Sequence, residues 1–326
     1  MILVTGGAGY IGSHTLRALQ AAGHSEILVL DNLYSGHRWA LPAGVPLIEG
    51  SMGDAALLDK VFKEQSIDSI LHFAAYLEVE ESVREPAKYY ENNFRNSSIL
   101  ISKASEYGVK NFVFSSTCAI YGNPPSNPVG EDCPKSPLNP YGKSKLMTEW
   151  FLEDLVRAGK TSLNYVSLRY FNVAGAHVAG GLGQATPRAT QLVKVTAEVA
   201  CGKREKLLVY GDDYATHDGT CIRDYIHVDD LASAHVSALS FLKREKRSEV
   251  FNLGYGSGYT VLEIVAAMKR VSGVDFKVEM VPRRAGDAEA IFADNSKLLR
   301  MLDWKPLYAD IDLICQTALD WERTRP

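Results

Sequence analysis

Short apolar runs alternate with longer amphipathic stretches along the first half of the chain. Met1–Thr5, Ile27–Asp31, Pro46–Glu49, Ser69–Phe73, Asn111–Ser115 and Asn164–Tyr170 are short, rich in β-branched or apolar residues, and bounded by Gly, Asp or Ser. That pattern predicts buried strands. Helical periodicity fills the gaps at Tyr10–Ala22, Ala55–Gln65, Ala87–Tyr107 and Tyr141–Arg157, and Pro86 is placed to open the third of these, because a first helical turn does not need the missing N–H. Strand and helix in alternation predict an α/β fold of the Rossmann type, a doubly wound parallel sheet with helices on both faces.

After Asn172 the rhythm changes. A Gly-rich stretch from Gly175 to Gly183 precedes a long helix, a loop rich in Tyr, Asp and Gly, and short mixed elements. Residues 1–172 therefore read as a dinucleotide-binding domain and 173–326 mainly as a smaller substrate lobe that closes over the carboxyl edge of the sheet. The chain is expected to cross back near 225–255, where Val250–Leu253 has strand character before a helix over Val261–Ser272.

Composition narrows the class. Of 326 residues, 46% are hydrophobic and 23% charged, ordinary values for a globular protein. A net charge of −4 gives no basic field for nucleic acid, and the one dense basic run, Lys243 to Arg247 with Glu245 inside it, reads as a solvated helix end. Five widely spaced cysteines with no C-x-x-C pair argue against disulfides or a zinc site and suit a reducing compartment. The apolar strand at Met1, without a basic leader, and the lack of any run of about 18 apolar residues predict a cytoplasmic protein with no signal peptide and no membrane span.

Candidate chemistry begins where the first strand runs into Gly6-Gly7-Ala8-Gly9-Tyr10-Ile11-Gly12 and then a helix. Glycines there let backbone approach a pyrophosphate, whose charge sits at the positive helix end. Asp31, with Asn32 after it, closes the second strand about 20 residues on, where a carboxylate holds ribose hydroxyls and repels a 2′-phosphate. NAD is the cofactor expected. Phe73, Ala74 and Ala75 end the fourth strand at the level of the same crevice. Asn92 and Asn93, on the next helix, either reach the nicotinamide side or are polar helix residues bonded to a loop.

Tyr141 and Lys145 form Tyr-x-x-x-Lys, a spacing that puts both on one helical face. A neighbouring ammonium and a cationic nicotinamide would both favour the phenolate. Ser115-Ser116-Thr117 ends the fifth strand facing the same crevice. Hydroxyl, phenol and lysine converging on a nicotinamide make a hydride-transfer site.

Together with Leu168-Arg169-Tyr170-Phe171-Asn172 and Asp218-Gly219-Thr220-Cys221-Ile222-Arg223-Asp224-Tyr225-Ile226-His227-Val228, these motifs resemble the UDP-glucose (UDP-galactose) 4-epimerase family of extended short-chain dehydrogenases, over residues 1 to about 295. The resemblance implies that Thr117 and Tyr141 handle the sugar 4′-hydroxyl, and that Lys145 tunes Tyr141 and binds the nicotinamide ribose. It puts Ser115 and Tyr170 beside the cofactor, and Phe171 and Asn172 against sugar and diphosphate. Arg223 and Arg284 would clamp the diphosphate, Tyr210 would pack on the uridine, and Asp287 would hold ribose hydroxyls. Gln191 and Leu192 would line the nucleotide pocket. The implied reaction moves a hydride from C4′ to NAD⁺ as Tyr141 takes the hydroxyl proton; the 4-ketose turns over and takes the hydride back on its other face. The cofactor then stays bound, and no metal is needed. A homodimer through the helices Tyr141–Arg157 and Ala87–Tyr107 is also implied; the first carries Met147, Trp150, Phe151, Leu155 and Val156, more apolar surface than one sheet face needs.

The chain departs from the family pattern at four places. Leu77 stands for a lysine near the cofactor phosphates, Ser51 for an aspartate near the adenine, and Gln191 for an asparagine. Ile291, at the position beside the sugar, is intermediate between residues that exclude and admit N-acetyl sugars, so N-acetylhexosamine, pentose and uronic-acid versions of the substrate stay open. Sugar-nucleotide dehydratases and decarboxylases of this fold carry an acidic residue just after the strand-five hydroxyl; here Cys118 and Ala119 follow Thr117, and Cys118 reads as a buried filler. A non-catalytic NAD-binding regulator would be expected to lack the tyrosine or lysine, and a net oxidoreductase would need free cofactor.

Overall fold

A computed structural model describes residues 1–186, 189–284 and 286–325. Seven strands form the central sheet: β1 (Ile2–Thr5), β2 (Ile27–Asp31), β3 (Leu47–Glu49), β4 (Ser69–His72), β5 (Asn111–Thr117), β6 (Asn164–Tyr170) and a returning strand, Glu249–Leu253. Their order is Glu249–Leu253, β6, β5, β4, β1, β2, β3, all parallel. Strand order reverses beside β1, the switch point at which a crevice opens outside the carboxyl ends.

Side chains of the strands alternate between two cores. Ile2, Val4, Val113 and Leu168 pack with Leu16 and Leu19 of the helix Tyr10–Ala21 and with Leu231, Leu239 and Leu242 of the helix Val228–Glu245. Leu3, Ile70, Phe112 and Phe114 face the other way, onto Leu58, Leu100 and Leu152 of the helices Ala55–Glu64, Asn96–Glu106 and Pro140–Arg157. The basic run Lys243 to Arg247 does end a helix, with Lys246 in the left-handed cap position.

Two buried polar devices lock this frame. His72 bridges Thr5 Oγ1 (2.6 Å) and Ser97 Oγ (2.9 Å), and burial pushes its pKa down to about 3, so the ring is neutral. Arg169 on β6 meets Glu149 through two nitrogens and also bonds Tyr121 Oη at 2.9 Å.

The predicted helix Ala87–Tyr107 is not continuous. Pro86–Tyr89 begins it, with Pro86 at its first position, Tyr90–Arg95 widens into a π turn, and Asn96–Glu106 resumes the α geometry. The widened turn lets the Asn93 amide hold both the N–H and the C=O of Tyr76, each at 2.8 Å. The apolar surplus expected on the helix after Asn139 is also smaller. Phe151, Leu155 and Val156 pack against the core under the sheet, and Trp150 is the exposed one, at 52%.

The second half builds its own core. The helices Leu192–Ala200, Val261–Ser272 and Ile311–Thr324 surround Leu207 and Val209, which lie on a strand paired in parallel with Val278–Val281. The helix Val261–Ser272 has the extent expected, fixed by a capping box between Thr260 and Glu263. Among the described residues no helix is long and apolar enough to cross a membrane.

Candidate active site

The turn after β1 is built around close backbone approach. Gly6 has φ +73°, and a Cβ there would lie 2.6 Å from Ala74 N; at Gly12 one would lie 2.2 Å from Gly6 O. Only glycine fits either place. The helix Tyr10–Ala21 follows at once, so its free N–H groups face the space above the turn. Asp31 at the end of β2 is buried and accepts from Ala8 N (2.9 Å) and Leu33 N (2.8 Å), with burial raising its pKa against the pull of those bonds. Each carboxylate oxygen keeps acceptor capacity for a ribose hydroxyl. A glycine cradle, a helix N-terminus and a positioned carboxylate fit the dinucleotide expected.

From that turn a single cavity of about 820 Å³ runs along the carboxyl edge of the sheet to the second lobe. The candidate residues line it from Gly6, Asp31 and Asn92 to Thr117, Tyr141 and Lys145 and on to Tyr210, Arg223, Arg284, Asp287 and Ile291, whereas Ser116 turns away from it to Glu149. The two asparagines part company: Asn92 faces the cavity, whereas Asn93 is buried and bonded to the loop at Tyr76. Leu77 and Ser51, the departures from the family pattern, are also on its wall.

At the middle of the cavity Thr117, whose Oγ1 accepts from Ala119 N at 3.2 Å, stands beside Tyr141, near enough to lower its pKa. Lys145 is buried, donates Nζ to Ser115 O at 2.9 Å, and lies 5.0 Å above the Phe114 ring. Burial pushes its pKa down to about 7, opposed by Glu149. Tyr141 goes the other way from expectation: burial, reinforced by Tyr170, lifts it well above the ordinary phenol value, and the neighbouring Thr117 hydroxyl lowers it only partly. An ammonium whose charge is itself weakened by burial does not offset that desolvation in the protein alone. Ser115 Oγ bonds Tyr170 Oη, whose pKa is pushed up to about 12 by burial. Cys118 lines the cavity, but burial raises its thiol to about 12, so it is no nucleophile at neutral pH.

The far end is cationic. The Arg284 guanidinium lies 3.6 Å from the centre of the Tyr210 ring, and its buried Nε has no partner among the described residues. An unpartnered buried donor beside Arg223 suits an anionic ligand. One face of Tyr210 is therefore taken by Arg284, which leaves the other for a base. Ile291 is buried among Phe171, Tyr121 and Leu146.

Several wall residues carry no sequence signal of the kind used above. Glu78 crosses the cavity mouth to Thr190 Oγ1 at 2.6 Å, and Tyr34 and Tyr76 line the cofactor end. A charge or ring on a loop has no periodicity to betray it. Away from the cavity, Asp229 accepts from His14 Nδ1 (2.7 Å) and His177 Nδ1 (2.9 Å). These three could group around a cation, but both ring nitrogens already donate to the carboxylate, and the trio serves as a strut between the first helix and the Gly-rich segment.

Residues 2–254 match the model of the NAD dependent epimerase/dehydratase family. A UDP-glucose 4-epimerase of Azospirillum brasilense is 49% identical over 99% of this chain and 92% of its own length. A UDP-Glc/GlcNAc 4-epimerase of Campylobacter jejuni superposes with a TM-score of 0.86 at 50% identity, covering 99% of this chain and 98% of that one. The UDP-glucose 4-epimerase of Stenotrophomonas maltophila, solved with NAD and formylated UDP-arabinopyranose, gives a TM-score of 0.94 at 39% identity, covering 99% and 97%.

Proposed function

The chain belongs to the NAD dependent epimerase/dehydratase family, and we propose that it interconverts UDP-galactose and UDP-glucose by transient oxidation at sugar C4. NAD, when bound, supplies the acceptor and donor for the C4 hydride. Gly6, Gly9, Tyr10, Ile11 and Gly12 cradle its diphosphate, Asp31 and Asn32 hold the adenosine ribose, and Phe73, Ala74, Ala75, Asn92, Ser115 and Tyr170 wall the remainder. Tyr141 takes the 4-hydroxyl proton and returns it, aligned by Thr117. Its raised pKa in the protein alone means that this base forms only when positive charge lies close by. Lys145, held by Ser115 O, anchors the nicotinamide ribose. Arg223 and Arg284 grip the sugar nucleotide's diphosphate, Tyr210, Gln191, Leu192 and Asp287 hold its nucleoside, and Phe171, Asn172 and Ile291 bound the sugar.

The observation that carries this reading is the Thr117–Tyr141 pair at the middle of one cavity whose ends are a glycine cradle and an arginine whose buried Nε is unpartnered among the described residues. No carboxylate follows Thr117, where Cys118 and Ala119 stand, so elimination chemistry lacks its acid. Residues 1–172 with the return over 225–255 serve as the cofactor domain, and 173–326 mainly as the substrate lobe. Free cysteines throughout the described chain fit a cytoplasmic setting. Exposed Trp150 on the helix Pro140–Arg157 supports a homodimer through that helix, for which sedimentation at micromolar protein gives a mass near twice 35.8 kDa.

The test is incubation of purified protein, without added NAD, with UDP-galactose and separately with UDP-N-acetylgalactosamine, followed by the anomeric proton signals. Conversion of the first is expected. Conversion of the second as well would make Ile291 a permissive neighbour, and failure of both even with NAD supplied would remove the proposed reaction.

A further inference from the structure

A reaction that returns its hydride gains nothing from cofactor exchange, yet the wall residue at 77 is a leucine with no charge to hold a phosphate. The glycine turn and Asp31 hold the dinucleotide, and a contact that slows its release would add to them. The sheet order sets the glycine turn after β1 between the loop that follows β2 and the loop that follows β4. Those two loops meet across the cavity. Tyr34 from the first touches Tyr76 from the second edge to face, with ring centres 4.8 Å apart at 62°. Both rings line the cavity.

The two sides of this contact differ in firmness. Tyr76 is fixed, because Asn93 holds its backbone N–H and C=O. Lys88 is fixed as well: its ammonium donates to Glu81 at 2.7 Å, and Glu81 accepts in turn from Tyr89 Oη at 2.9 Å. From there Nζ lies 4.6 Å from the Tyr76 ring centre and 5.3 Å from that of Tyr34, and donates to Tyr34 Oη at 3.1 Å. Tyr34 is the freer partner. It is 60% exposed, while its loop is anchored through backbone, by Leu33 N and Tyr34 N on the Asp31 and Asn32 side chains and by His37 N on Ala8 O.

We propose that Tyr34, seated on Tyr76 and Lys88, is a clasp that closes over the dinucleotide and sets how slowly NAD leaves. The clasp rests on the NAD reading of the glycine turn. It works by aromatic and cation–π contact between two loops, so its opening needs only one exposed side chain to swing away. Lys88 acts as a post for the clasp and not as a phosphate ligand, since its charge is already matched by Glu81.

The experiment measures nucleotide content and release. Protein as isolated is passed through a desalting column, and the NAD remaining per chain is quantified after acid release. NAD escaping on dilution is trapped with alcohol dehydrogenase and ethanol. Tyr34→Ala is expected to release NAD about tenfold faster than the parent, the size of one aromatic contact plus one cation–π contact. Tyr34→Phe keeps the ring and loses the bond to Lys88, so its rate should lie between the two. Lys88→Met, which keeps the chain's length without charge, should also speed release, and it carries the test should the alanine variant fold poorly. Release from Tyr34→Ala and Lys88→Met at the parent's rate would overturn the clasp while leaving the cofactor reading intact. A parent that neither carries nor takes up NAD would overturn both.

Discussion

Tyr141 and Lys145 sit four residues apart on one buried helical face, and burial moves them in opposite directions, the phenol up and the ammonium down to about 7. Desolvation disfavours whichever form is charged. In such a site positive charge brought alongside favours the phenolate against the desolvation that opposes it. Tyr141→Phe keeps the ring and removes the acid–base group. Turnover should fall by about 10³-fold or more, within the usual range for general acid–base loss, with the melting temperature and NAD content close to the parent's; near-normal turnover measured by the anomeric signals would rule out this assignment. Residue identity was the part of the site most readily legible. Gly6, Asp31, Tyr141 and Lys145 sit in motifs whose spacing has a mechanical meaning. Tyr34, Tyr76 and Glu78 belong to no motif, and only the meeting of two loops that are distant in sequence reveals them.

Among elements, legibility followed burial. Strand β3, expected to be buried, lies at the sheet edge, with Leu47 and Ile48 half-buried and Glu49 exposed. Strands β1, β2, β4, β5 and β6 are buried and were visible as runs, as was the helix Val261–Ser272, whose capping box is written in Thr260 and Glu263. The π turn at Tyr90–Arg95 was not, because helical periodicity continues through it and its cause, the Asn93 amide serving the Tyr76 backbone, lies in a tertiary contact. The last helix, Ile311–Thr324, could have been found. Ile314, Cys315, Ala318 and Leu319 repeat at helical spacing and Asp310 caps the start, accepting from Leu313 N at 3.0 Å. Asp310→Ala removes that bond from a helix that supports the core of the second lobe. It should cost about 1 kcal/mol, read as a lower urea midpoint with unchanged slope.

For the molecule as a whole, several buried histidines are neutral: burial holds His72 at about 3 and both His227 and His235 at about 4. All three lie below the value of about 6.5 expected when unfolded, so the unfolded chain binds more protons as pH falls between those limits. Their stabilisation is complete above about pH 6.5 and is lost progressively below it. Asp224 opposes this, since burial raises its pKa to about 6 and the folded state then holds the extra proton, and burial raises Asp31 as well, but these two carboxyls stand against the three imidazoles and His14, which burial also lowers. Urea midpoints should therefore drop between about pH 7 and pH 5; a midpoint that is flat or rises over that interval would contradict the neutral assignment.

The returning strand Glu249–Leu253 completes the sheet from the far side of the second lobe, and the helix Val228–Glu245 covers the first helix on its way there. During synthesis, a ribosome that has delivered residues 1–172 has made six of the seven strands yet left β6 as a bare hydrogen-bonding edge and Leu16 and Leu19 without their cover. Such an edge invites pairing with another chain. The nascent protein must therefore wait about 80 residues, with its dinucleotide cradle already translated, before it can close. Cutting the gene at the point where the sequence changes character would not yield a small nucleotide-binding module but a sticky fragment, and an engineer who wants one would have to splice the 225–255 segment directly behind β6.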